Sequence, residues 1–166
     1  FYFYNREKIK IFTNKETSNF LLERFSYLFN KSKKSQSYFQ PPLEMHEIDY
    51  FEEITINDIK INAIKQNHGV TDTLGFIFND VFAYCTDVVG FPEKSFEYLR
   101  KMKVLIITGL RQSPHMAHAH FDLSFEWIAK LNPDIAYLTH LSPESDHDVV
   151  TKLCPPNTFP AYDGLV

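Results

Sequence analysis

A layered α/β fold is predicted by the order in which short apolar segments follow one another along this chain of 166 residues. Two pairs of strand-like runs, each pair joined by an Asn-Asp dipeptide, follow an opening strand and helix, and apolar runs then alternate with helix-like stretches. A hydrophobic fraction of 44% and an aromatic fraction of 16% supply the core that such layers need, and disordered chains lack such content.

Lys8 to Thr13 (KIKIFT) alternates polar and apolar residues, the period of a half-buried strand. A helix follows, capped by Asn14 or Thr17, with Phe20, Leu21, Phe25 and Leu28 recurring at helical spacing. Lys31 to Ser37 and the Pro41-Pro42 pair read as a loop, most simply a solvated linker. Ile54-Thr55-Ile56 and Ile59 to Ile64 flank Asn57-Asp58, which predicts a hairpin whose second strand runs on to His68. Leu74 to Phe78 and Val81 to Tyr84 flank Asn79-Asp80 and predict a second hairpin, its outgoing strand stopping at Asp87. Pro92 opens a helix through about Met102. Val104 to Ile107 is a continuous apolar run, as in a strand covered on both faces. A histidine-dense loop comes next, then a helix from Leu123 to Leu131, a short strand Ile135 to Leu138, and a last helix from Asp148 to Leu153.

The length fits one domain spanning residues 1–166. A net charge of −4 argues against strong attraction to nucleic acid phosphates, although bound cations would reverse the sign locally. Cys85 and Cys154 make no disulfide framework and suit a reducing cytoplasm. No apolar run approaches the roughly 18–20 residues that span a bilayer, and no signal peptide is evident. The chain opens on Phe1-Tyr2-Phe3-Tyr4, an apolar start that reads as an interrupted N-terminus.

Three potential metal ligands stand at the tips of strand-like segments: His68 after Gln66-Asn67, Asp87 after Cys85-Thr86, and His140 after Leu138-Thr139. Imidazole and carboxylate are ligands that zinc and manganese accept, and strand ends hold them rigidly. Taken singly, His68 and Asp87 are more simply a hydrogen-bonded structural histidine and a turn aspartate. One hairpin separates them, however, and hairpins return their ends to the same sheet edge, so the two converge and His140 can join them. His118-Ala119-His120-Phe121-Asp122 spells H-x-H-x-D, but Leu123 stands where a dimetal motif of that kind needs a further ligand.

Order and spacing resemble the C-terminal part of metallo-β-lactamase-fold hydrolases of the phosphodiesterase type, in particular the phosphoribosyl cyclic-phosphate phosphodiesterase group. Asn67-His68-Gly69, Leu74-Gly75-Phe76 with Thr86-Asp87, Pro114-His115-Met116-Ala117-His118 with the later Trp127, Thr139-His140 and the closing Ala161-Tyr162-Asp163-Gly164 carry the likeness. The resemblance implies part of an αββα sandwich and two divalent ions, zinc or manganese. His68 would hold one ion, Asp87 bridge both and His140 hold the second, with His118 facing the scissile phosphate. His115 would be structural and His120 the less suited holder of the role given to His118. Asp146 and Asp163 would brace loops by hydrogen bonds.

Two departures follow. Ser142-Pro143 stands where many relatives carry a second histidine, and the family's H-x-H-x-D-H stretch does not occur in the chain. The expectation is therefore an incomplete hydrolase of small phosphodiesters, cytoplasmic, impaired alone, with partial or no metal occupancy. The missing N-terminal half or a second copy of the chain would be its partner, and self-association would follow from an uncovered core and an open sheet edge. No membrane and no nucleic acid partner is expected. The alternatives are a catalytically inactive remnant serving as a binding or structural protein, a hydrolase of thioesters or lactams, and a nuclease.

Overall fold

A computed structural model of the protein describes residues 7–30 and 40–165. The chain divides into two units, Phe1–Tyr50 and Phe51–Val166.

In the first unit, strand β1 (Ile9–Thr13) and strand β2 (Leu43–Glu47) pair in parallel, joined through helix α1 (Lys15–Phe29). A parallel pair needs such a crossover because a tight turn cannot bring the chain back in the same direction. Asn14, rather than Thr17, caps the helix: its Oδ1 accepts the Thr17 N–H at 2.9 Å. The helical stripe is only partly core-facing, with Leu21 and Leu28 half-buried while Phe20 and Phe25 are exposed, and Phe25 itself departs from helical backbone. The sequence gives no warning of β2. The expected linker Lys31–Ser37 and the opening Phe1–Tyr4 lie outside the described residues.

The second unit is built on one sheet of seven strands in the order β3-β4-β5-β6-β7-β8-β9. These are β3 (Glu53–Ile56), β4 (Ile59–His68), β5 (Thr71–Phe78), β6 (Phe82–Cys85), β7 (Val104–Thr108), β8 (Ile135–Thr139) and β9 (Thr158–Pro160). Pairing is antiparallel from β3 to β6 and parallel from β6 to β9. Both hairpins form where Asn-Asp stands. Asn57 and Asp58 have φ of 47° and 65°, and Asn79 and Asp80 have 50° and 55°. Two successive left-handed residues make the turn whose twist matches the flanking strands, and Asn and Asp tolerate that backbone better than bulkier residues.

Helices α2 (Glu93–Leu99), α3 (Phe121–Leu131) and α4 (His147–Leu153) complete this unit. Pro92 is the N-cap of α2, which stops at Leu99 rather than near Met102, and α3 begins two residues before the expected Leu123. The core gathers Ile64, Ile77, Leu105, Ile107, Leu138 and Val150 from strands and helix, with Trp127 and Ile128 from α3. Along β7, Leu105 and Ile107 are fully buried while Val104 and Ile106 are half-buried, so cover is unequal on its two faces. Because β5 runs against both β4 and β6, the strands β4, β6, β7 and β8 point the same way, and their C-terminal ends share one sheet edge. No helix among the described residues is long and apolar enough to cross a membrane.

Candidate metal centre

Four loops leave that edge, and each delivers one chemically capable side chain. His68 ends β4 and is followed by Gly69 at φ +77°. A Cβ at Gly69 would stand 3.0 Å from the Met116 carbonyl oxygen, so both the backbone angle and the close passage of the histidine loop require glycine. Asn67 fixes this turn, its Oδ1 accepting the Gly69 N–H at 3.0 Å while its own backbone bonds Val89 and Gly90. Asp87 follows β6 with φ +56°, and His140 follows β8 with φ +62°. His118 comes from the loop after β7, where the buried Ala119 bonds Leu110 and Val88 and so ties this loop to that of Asp87. At both positions the left-handed residue turns the chain sharply as it leaves the strand.

The side chains converge on a single carboxylate oxygen. Asp87 Oδ1 lies 3.9 Å from His68 Nε2, 3.8 Å from His118 Nδ1 and 3.8 Å from His140 Nε2. His68 Nε2 and His118 Nε2 are 3.4 Å apart, and the His118 ring stacks on that of His140 at 4.6 Å. The three distances to Asp87 are too long for hydrogen bonds. They suit donors around a common cation, since ligands about 2.0–2.2 Å from zinc at tetrahedral angles stand roughly 3.3–3.6 Å apart. Ligand atoms of His68, Asp87 and His118 all fall within 4.8 Å of one another. His118 Nδ1 is moreover buried without a hydrogen-bond partner among the described residues. A carboxylate, clustered imidazoles and an orphaned ring nitrogen fit a divalent transition ion.

Burial holds the His118 imidazole below the usual histidine range, reinforced by His140 and His68, while Asp87 pulls the other way. Neutral imidazole is the form that ligates metals and that donates a single ring N–H. The side chains of His68, Asp87 and His140 are 27%, 44% and 38% exposed, so the cluster is open to a ligand from solvent.

His115 stacks on His118 at 5.1 Å and accepts the Ala117 N–H through Nδ1, a role within its own loop. His120 is the N-cap of α3 and is outside the cluster. Of the H-x-H-x-D run only His118 reaches the site. Asp146 caps α4, its Oδ1 accepting from Val149 N at 3.0 Å. Asp163 sits exposed in the closing turn. Asn67 and Gly69 enter the sequence reading as part of the His68 loop; the structure adds that Gly69 passes close under the histidine loop and that Asn67 ties to Val89 and Gly90.

Residues 3–141 match the family model described as the beta-lactamase superfamily domain. Among solved structures, a diphosphatase of the PhnP family is 29% identical, with a TM-score of 0.82, covering 95% of this chain and 57% of that one. The metallo-beta-lactamase fold protein YhfI from Bacillus subtilis is 14% identical, with a TM-score of 0.73 over 95% of this chain and 64% of its own. Zn(2+)-bound PqqB from Methylobacterium extorquens is 11% identical, with a TM-score of 0.67 over 97% of this chain and 65% of its own. The chain thus spans roughly six-tenths of the length of these structures. A search of curated protein sequences gave no significant match.

Proposed function

The chain belongs to the beta-lactamase superfamily of metal-dependent hydrolases, and from that membership and its site we propose that it serves hydrolysis of phosphate esters or anhydrides, small phosphodiesters foremost. The observation that carries this reading is the convergence of three imidazoles on one Asp87 oxygen at the mouth of the sheet. The diphosphatase at 29% identity supports the phosphate chemistry. Charge supports it too. A protein of net charge −4 with a carboxylate at its site repels a phosphate unless a cation lies between them.

Asp87, His68 and His140 hold the ion, zinc or manganese, in this proposal. Such an ion supplies Lewis acidity toward a phosphoryl oxygen and makes water acidic enough to react near neutral pH. His118, kept neutral by its surroundings, donates its one N–H to the phosphoryl group or to the leaving oxygen. The three donors Asp87, His68 and His140 leave a tetrahedral ion one position for water or substrate, and a second ion needs ligands beyond them. Turnover by this chain alone is accordingly expected to be slow.

The test is a titration of the purified chain with zinc and with manganese, followed by assays on bis(p-nitrophenyl) phosphate, a thioester and a β-lactam in parallel. Binding of about one ion per chain, with slow phosphodiester cleavage that Asp87→Ala abolishes, supports the proposal. Turnover confined to the thioester or lactam, or metal uptake unaffected by Asp87→Ala, overturns it.

A further inference from the structure

Beneath the cluster, one fully buried polar side chain has no place in the reading so far. Gln66 has no solvent exposure, sits two residues before His68 on the same face of β4, and lies opposite Thr73 on β5. Its Nε2 donates to the Thr86 carbonyl at 2.8 Å and to Thr73 Oγ1 at 3.2 Å. Thr73 Oγ1 in turn donates to the Asp87 carbonyl at 2.8 Å. Two consecutive carbonyls, those of the residue before the left-handed turn and of the turn residue itself, are therefore held from below by one relay. The orientation of the amide is fixed by this geometry, because only the NH2 end can face a carbonyl. The other end gains nothing: Gln66 Oε1 is buried without a partner among the described residues.

That asymmetry is informative. An unpartnered buried acceptor is a cost that an apolar side chain of the same size would not carry. The side chain thus leaves one acceptor without a partner while its NH2 end holds the Thr86 carbonyl directly and the Asp87 carbonyl through Thr73. The surroundings also make room for it. A Cβ on Gly75 would stand only 2.4 Å from Gln66 Oε1, so the glycine leaves space for the amide.

We propose that Gln66 and Thr73 are positioning residues for the metal centre, a buried relay that holds Asp87 in its left-handed conformation with the carboxylate turned toward His68, His118 and His140. This rests on the metal-site reading above. Partners of this kind, one step behind the ligands, typically shift metal affinity by about 10- to 100-fold.

The test compares Gln66→Met, Thr73→Val and Thr73→Ser with the unmutated chain by zinc titration, thermal melting, and amide hydrogen exchange of residues 86–88 without metal. The expected result is zinc affinity about 10- to 100-fold weaker in Gln66→Met and Thr73→Val, with faster exchange at 86–88. The melting temperature of Gln66→Met should change little, because removal of the orphaned acceptor offsets the bonds lost at Thr86 and Thr73. Thr73→Ser, which keeps the hydroxyl, should restore affinity and slow exchange. Unchanged zinc affinity and exchange in both variants overturns the proposal, as does an affinity loss that merely tracks a fall in melting temperature. If the unmutated chain takes up no zinc, the metal-site reading falls and exchange decides the relay alone: faster exchange in both variants supports it, and unchanged exchange overturns it.

Discussion

Asp87 and His140 show how single residues carry the site's strain. Each adopts left-handed backbone without being glycine, a state that costs of order 1–3 kcal/mol and persists where the surroundings enforce it. His118 is held between His68 and His140 instead, and its two ring nitrogens face His68 and Asp87. Substituting His118→Ala should lower kcat on bis(p-nitrophenyl) phosphate by about 100-fold or more, as loss of a positioned N–H donor to developing charge does, while the zinc stoichiometry measured by calorimetry stays the same. Loss of the ion itself would make His118 a ligand rather than the group facing the phosphate. Gly75→Ala should destabilise the protein by roughly 1–3 kcal/mol in urea unfolding, the cost of overpacking, because the added carbon meets the buried Gln66 amide. His68, Asp87, His118 and His140 were legible in the sequence because each is a ligand-type residue just past an apolar run or within a histidine-rich loop. Their backbone angles and the relay under Asp87 were not. Both depend on which loops cross in space, and Gln66 reads in the sequence as one more polar residue beside a histidine.

Among the elements, α3 combines a well-packed body with a weak start. Phe121, Trp127, Ile128 and Leu131 are buried along it, yet its N-cap is His120, which makes no side-chain capping bond. Serine at an N-cap accepts a backbone N–H that is otherwise unsatisfied in the first turn. His120→Ser should therefore raise stability by about 0.5–1 kcal/mol in chemical unfolding and leave zinc affinity where it was. A drop in affinity would place His120 in the site after all. The strands divide by how local their signal is. The two hairpins were readable from Asn57-Asp58 and Asn79-Asp80, since a turn dipeptide between apolar runs specifies its own register. β2 and β9 were not. Leu43–Glu47 pairs with a strand on the far side of α1, and Thr158–Pro160 is three residues long, so neither has a local pattern that distinguishes it from a loop.

At the scale of the whole molecule, the two units are unequal. Every buried residue of the hydrophobic cluster, from Ile64 to Val150, belongs to the unit Phe51–Val166, and so do His68, Asp87, His118 and His140. The edge strand β3 of that unit is short and defended: Lys60 on its neighbour pairs with Glu53 at 2.8 Å and with Asp80 at 3.0 Å. Charged residues on a short edge strand discourage the edge-to-edge pairing that leads to aggregation. The first unit, by contrast, presents Phe20, Phe25 and Tyr27 on α1 at 48%, 39% and 56% exposure, with Arg24 covering part of the Phe20 ring. Neighbouring exposed aromatics of this kind favour association between copies. A chain shortened to Phe51–Val166 should therefore unfold cooperatively, bind zinc as the longer chain does, and sediment as a monomer at micromolar concentration, whereas the 166-residue chain should show association under the same conditions. Gradual, non-cooperative melting of the shortened chain would show that its core needs the first unit. Equal association of the two chains would move the sticky surface from α1 to the sheet itself.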